Sequence, residues 1–274
     1  MSDDAVPARP RGPWDPPEGV SPARTEAPSL EEAPRQPLGW AIASTLLLAA
    51  FIAWQAGWQV AVAGVVGVFV HEYGHVLAIN ALGCGPGRIH IVPFLGGAAH
   101  MARHPSSDFK SVLISLAGPS FGLLAIAPFF VLGAYTGDKR WIDGAVFIAV
   151  INLINLLPAP PLDGSKAIGP ALARIHPMVE RAALLLVGAG AVLWALNGRL
   201  FIFAAFIAFG VFTALMTPRF RAPALPLTGA QWVLSLVLYL ACVAACIVAM
   251  VLSLEVMGGQ SALARLLRLD LVGN

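Results

Sequence analysis

Two histidines and a glutamate sit close together in the stretch Val70-His71-Glu72-Tyr73-Gly74-His75-Val76. On an α-helix, residues four apart share a face, so His71 and His75 can grip one metal ion. Glu72, one residue round, can then serve as general base toward water activated there. The three residues lie inside an otherwise almost uncharged apolar run from about Trp58 to Leu82. A carboxylate near the middle of a membrane costs roughly 2.5–3.5 kcal/mol on insertion scales, so its presence in such a run points to function.

Two nitrogens do not complete a catalytic zinc site, which usually takes three protein ligands and leaves one position open. A third ligand must therefore arrive from another element. The best candidate is Asp163, in the stretch Asn155-Leu156-Leu157-Pro158-Ala159-Pro160-Pro161-Leu162-Asp163-Gly164. A span ending near Leu157 delivers it, and the prolines break that span just before it. Broken backbone at membrane depth is tolerated only where it is buried in protein or lines a cavity, which suits a site that must admit water.

The elements that would position these residues follow from composition. The chain has 274 residues, 58% hydrophobic and only 12% charged. Soluble domains run about 25% charged, so this is the composition of a polytopic helical membrane protein. The formal net charge of +2 is too small to suggest a nucleic-acid partner, and no nucleic-acid motif is visible. Cys84, Cys242 and Cys246 form neither a C-x-x-C pair nor a disulfide framework. They read as small buried hydrophobes.

Residues 1–37 hold nine prolines and charges of both signs, and they are expected to be a disordered cytoplasmic tail. The acidic start lacks the apolar core of a cleaved signal peptide. Spans are expected at Leu38 to Gly57, from a turn at Gln55–Gln59 to Gly83, at Phe109 to Tyr135, and at Gly144 to Leu157. Shorter apolar runs follow at Ala182–Leu196 and Leu200–Met216, then a last span at Ala230–Val256. Between spans two and three, Arg88-Ile89-His90-Ile91-Val92 alternates and glycines flank it, predicting a β-hairpin or re-entrant loop. Around Leu263 to Arg268 the chain is amphipathic and suits a membrane surface. The fold class is therefore all-α and polytopic, with six or seven transmembrane helices and a short membrane-associated hairpin. The organisation is a tail (1–37), a core of four spans (38–170) and C-terminal spans with an amphipathic end (171–274). Basic residues concentrate in the loops that are internal if the N-terminus is cytoplasmic, among them Arg88, Arg103, Lys166 and Arg174.

His71-Glu72-Tyr73-Gly74-His75 and the Asn155–Gly164 stretch, in that order and on two spans, resemble the site-2 protease family of intramembrane zinc metalloproteases. The resemblance covers about residues 38–170. It implies that His71, His75 and Asp163 bind Zn2+ and that Glu72 activates water. It also implies that Asn155 lies near the site and that the hairpin around Gly96 and Gly97 offers an edge to an extended substrate. The expected partners are the lipid bilayer and a membrane-anchored protein substrate, cut within or near its membrane segment. The expected location is the bacterial inner membrane. Two positions depart from the family pattern. Gly122 stands where Ala117-Gly118-Pro119-Ser120-Phe121-Gly122 would carry an asparagine, and Ser165 replaces a second glycine after Leu-Asp-Gly. Asn152 reads as packing, and His90, His100 and His104 read as surface or interfacial residues. A transporter with a midplane metal or proton site and a catalytically inert membrane regulator are the competing readings. The first predicts internal repeats, which the sequence lacks; intact ligands and base argue against the second.

Overall fold

The computed structural model describes residues 37–92, 96–217 and 224–257. Their elements are α1 (Leu38–Ala56), α2 (Trp58–Ala81), β1 (Arg88–Val92), β2 (Gly96–His100), α3 (Asp108–Leu124) and α4 (Ile126–Thr136). They continue with α5 (Arg140–Asn155), α6 (Asp163–Ile175), α7 (Pro177–Asn197), α8 (Phe201–Met216) and α9 (Gly229–Met257). The disordered reading of the tail, apart from Pro37, and the amphipathic end both fall outside these residues.

The described chain is mostly helical with one small antiparallel sheet, as an all-α membrane protein requires. Five helical segments are long and apolar enough to cross a membrane: α1, α2, the α3–α4 pair, α7 and α9. The runs read as the fourth and sixth spans form helices of 16 residues each, α5 and α8. Both fall short of the roughly 17–25 residues that span a bilayer unaided. The expected third span is two helices, broken at Ala125, nearly two turns beyond Pro119. The turn expected over Gln55–Gln59 is the single residue Gly57, whose positive φ of 94° allows one helix to stop and the next to start. The structure also holds a helix the hydropathy pattern does not announce, α6, which begins at Asp163 itself.

The core gathers around α2. Glycines let its neighbours approach: side chains at Gly64 and Gly67 would collide with Phe147 and Ile148 of α5, and one at Gly74 with the Ala117 carbonyl and Phe121 of α3. Helices in lipid associate through such small-residue contacts, since lipid tails are as apolar as leucine. The far end of the chain also enters this core. Cys242 and Cys246 of α9 pack with Val112 and Leu116 of α3, Leu156, and Ala167 of α6.

Several ties hold helix ends at one side. The Lys110 ammonium donates to the Leu82 carbonyl (3.0 Å), joining the start of α3 to the end of α2. The backbone before α9 runs beside that before α3: the Asp108 N–H donates to the Leu225 carbonyl (2.9 Å) and the Leu225 N–H to the Ser106 carbonyl (3.0 Å). The Arg174 guanidinium, at the end of α6, donates to the Leu227 carbonyl. The ends of α2 and α6 and the starts of α3 and α9 therefore lie together.

Candidate metal and catalytic site

The i and i+4 spacing on α2 does what the sequence suggests. His71 and His75 turn into the bundle, and both are buried, as is Glu72. Asp163 reaches them from the first turn of α6. Its Oδ2 lies 3.1 Å from His71 Nε2 and 3.0 Å from His75 Nε2, and the two Nε2 atoms are 3.2 Å apart. These three residues form the one group of histidine, cysteine and carboxylate side chains among the described residues with the closeness a metal ion requires.

Hydrogen bonds to the far ring nitrogens set the roles of these atoms. Asn152 Nδ2 donates to the Ile148 carbonyl (2.8 Å), which turns its Oδ1 toward His71 Nδ1, also at 2.8 Å. His71 Nδ1 must therefore carry the proton. His75 Nδ1 lies 2.8 Å from the Ile114 carbonyl and must likewise donate. A ring protonated at Nδ1 alone presents its Nε2 lone pair to the other ring and to a carboxylate oxygen. A proton on one nitrogen can satisfy one of these contacts, whereas a metal cation satisfies all three. The spacing suits such an ion: donors 2.0–2.1 Å from a tetrahedral centre stand about 3.4 Å apart. Backbone or amide partners on the second nitrogen are the usual support of metal-binding histidines. The residues present thus fit a bound metal ion.

Room for this arrangement comes from α3. A side chain at Gly118 would run into both imidazole rings. One at Gly122 would meet the Asn152 amide. The absent asparagine at 122 is therefore accompanied by an asparagine from the opposite helix. Asn152 occupies the space that Gly122 leaves and holds His71. Sequence reasoning assigns Asn152 to packing and favours Asn155 for the site. In the structure Asn155 Nδ2 donates to the Ile151 carbonyl of its own helix (3.1 Å), and no hydrogen bond links it to His71, His75, Glu72 or Asp163. The signal for Asn152 was its position: an amide fully inside a span, on the helix that leads to Asp163, needs a polar partner.

The turn before Asp163 is fixed at several points. Gly164 sits so close under the Leu156 and Leu157 carbonyls that no side chain fits there. Ser165 Oγ donates to the Leu162 carbonyl (2.6 Å), which closes the first turn of α6. From α9, the Tyr239 hydroxyl donates to the Leu156 carbonyl (2.7 Å).

Glu72 stands beside the group rather than in it. Its Oε2 is buried with no hydrogen-bond partner among the described residues. A buried carboxylate oxygen left so costs several kcal/mol unless a proton, a cation or a ligand serves it. Strand β2 passes directly over it, and a side chain at Gly97 would meet the Glu72 side chain. The hairpin is present as the alternation predicted, with Arg88 paired to His100, His90 to Ala98 and Val92 to Gly96.

The chain matches no family model, no curated protein and no solved structure.

Proposed function

We propose that this protein is an intramembrane zinc metalloendopeptidase that cleaves membrane-anchored protein substrates within or near their transmembrane segment. The observation that carries the proposal is the convergence of His71 Nε2, His75 Nε2 and Asp163 Oδ2 beside the unpartnered, buried Oε2 of Glu72. His71, His75 and Asp163 would hold zinc. Bound there, zinc supplies Lewis acidity toward water and the scissile carbonyl.

The chain's own groups do the rest. Glu72 Oε2 accepts a proton from the attacking water and returns it to the amide nitrogen as the C–N bond breaks. Asn152 and the Ile114 carbonyl keep the two imidazoles turned so that Nε2 faces the centre. Gly97 lets the backbone of β2 lie against Glu72, which brings an extended segment along the hairpin within reach of the base. Extension is needed because a helical peptide bond is shielded by its own hydrogen bonds.

In this reading the chain crosses the bacterial inner membrane with its N-terminus cytoplasmic. The clustered ends of α2, α3, α6 and α9 support seven crossings. Two helices, α7 and α8, must leave and return between the end of α6 and the start of α9, and α5 must cross between α4 and α6. The short helices α5 and α8 are then spans packed inside the protein.

Glu72→Gln tests the mechanism. Metal content, read by mass spectrometry of the purified protein, is expected to stay at the wild-type level. Cleavage of a membrane-anchored reporter should fall by roughly 10²–10⁴-fold, the range for loss of a general base. Cleavage at the wild-type rate by this variant would overturn the assignment.

A further inference from the structure

One face of the hairpin gathers a guanidinium and two imidazoles, and the proposed mechanism makes no use of it. Arg88 and His100 are directly opposed across the two strands, and His90 lies two residues along from Arg88. Side chains two apart on a strand, and those directly opposed across a pair, share a face. The His90 and His100 rings are 4.3 Å apart, tilted by 37°. The opposite face is engaged with α2 and α3: Ala99 packs with Ile79, Cys84 and Ile114, and Gly97 lies against Glu72. The Arg88 face is thus turned from α2 and α3; β1 also borders α1, Arg88 and His90 are half-buried, and His100 is exposed.

Among the described residues this face lacks a counter-charge. Arg88 Nη1 is buried with no hydrogen-bond partner among the described residues. No ion pair within 4.0 Å joins Arg88, His90 or His100 to a carboxylate among the described residues. A further positive group, Lys166 on α6, lies within electrostatic range of both His100 and Glu72. Burial, His90 and Lys166 together hold the His100 imidazole below its ordinary pKa, as expected where cations gather. A guanidinium nitrogen removed from water and left unpaired costs free energy that an anionic partner would recover.

We propose that Arg88, His90 and His100 form a recognition site for an acidic side chain of the substrate. The proposal rests on the protease reading and adds to it a preference in sequence. The register gives the position. Gly97 marks the level of Glu72, and His100 is three residues further along β2, about 10 Å away at ~3.3 Å per residue. The substrate's Asp or Glu should therefore stand about three residues from the bond that is cut. Parity agrees: an odd offset turns the side chain from the Gly97 face to the His100 face.

The test uses the full chain carrying Glu72→Gln, in nanodiscs of neutral phosphatidylcholine. The probes are short fluorescein-labelled apolar peptides with a single Glu scanned along the sequence, each paired with its Gln counterpart. Binding is read by fluorescence anisotropy, so it does not depend on cleavage or on the protease assignment. One Glu position should bind about tenfold tighter than its Gln counterpart, the size of one charge-assisted hydrogen bond. Adding Arg88→Gln should abolish that ratio, while Arg88→Lys keeps part of it. Should Arg88→Gln fail to fold, by size-exclusion profile, the His90→Gln/His100→Gln pair should still reduce the ratio by two- to threefold. Equal binding of every Glu and Gln pair, or a ratio untouched by these variants, would overturn the proposal. So would a ratio that vanishes when anionic phosphatidylglycerol is added, since the face would then belong to lipid headgroups.

Discussion

Helices α1 and α2 are neighbours of similar apolarity, and both are long enough to cross a membrane. They differ in what the protein does with them. In the most apolar part of α1, 11% of residues are buried; in that of α2, 44% are. The difference lies in a few positions. Helix α2 carries Gly64, Gly67 and Gly74 on faces pressed against α3 and α5, whereas the one glycine of α1, Gly39, meets nothing. Helix α1 offers Leu46, Trp54 and Leu38 outward, the surface that lipid covers in the proposed setting. Hydropathy thus selects which segments enter a membrane, while small residues and stranded polar ones select which segment becomes the centre of the protein.

Three substitutions test this contrast. The largest effect is expected from Gly118→Ala, on the helix face that α2 packs against. The added methyl would displace both imidazoles. Metal affinity should weaken by more than about 100-fold, beyond what loss of a supporting hydrogen bond costs. Titration with zinc under a competing chelator measures this, and retention of wild-type affinity would mean that the imidazoles do not need the space Gly118 leaves. Asn152→Ala should cost about 10–100-fold in the same titration, because His71 loses the partner that orients it. Its thermal midpoint should move less than its metal affinity; the reverse order would make Asn152 a packing residue after all. Leu46→Ala on α1 should change unfolding free energy by no more than about 0.5 kcal/mol and leave metal binding untouched. A larger loss would mean that α1 is held as tightly as α2.

Much of this architecture was legible because its signals are periodic. Alternation from Arg88 to Val92 announced the hairpin, and long apolar runs announced the spanning helices. The pairing of His71 with His75 followed from helix geometry, and Asp163 from the need for a third ligand together with its expected depth and the resemblance of the stretch around it. What escaped was written in small residues. Helix α6 buries Gly164, Ser165, Ala167, Gly169, Pro170 and Ala171 and no large apolar side chain, so a hydropathy reading passes over it. Asn152 and Asn155 lie three residues apart on one helix and cannot be ranked without knowing which face meets α2. The answer depends on Gly122, a residue on a third helix. Such a role is set by tertiary contact, and local pattern does not carry it.

The tie between Tyr239 and the Leu156 carbonyl has a consequence for the making of the protein. It joins residues 83 apart in the chain, and the later one lies in the last described helix. At synthesis rates of about 5–20 residues per second, the turn that presents Asp163 waits roughly 4–17 s for its final brace. A ribosome-bound chain would thus hold both histidines and the aspartate before it could hold them rigidly. The bracing of this histidine and aspartate cluster is timed to the arrival of α9, after the other described helices have been made.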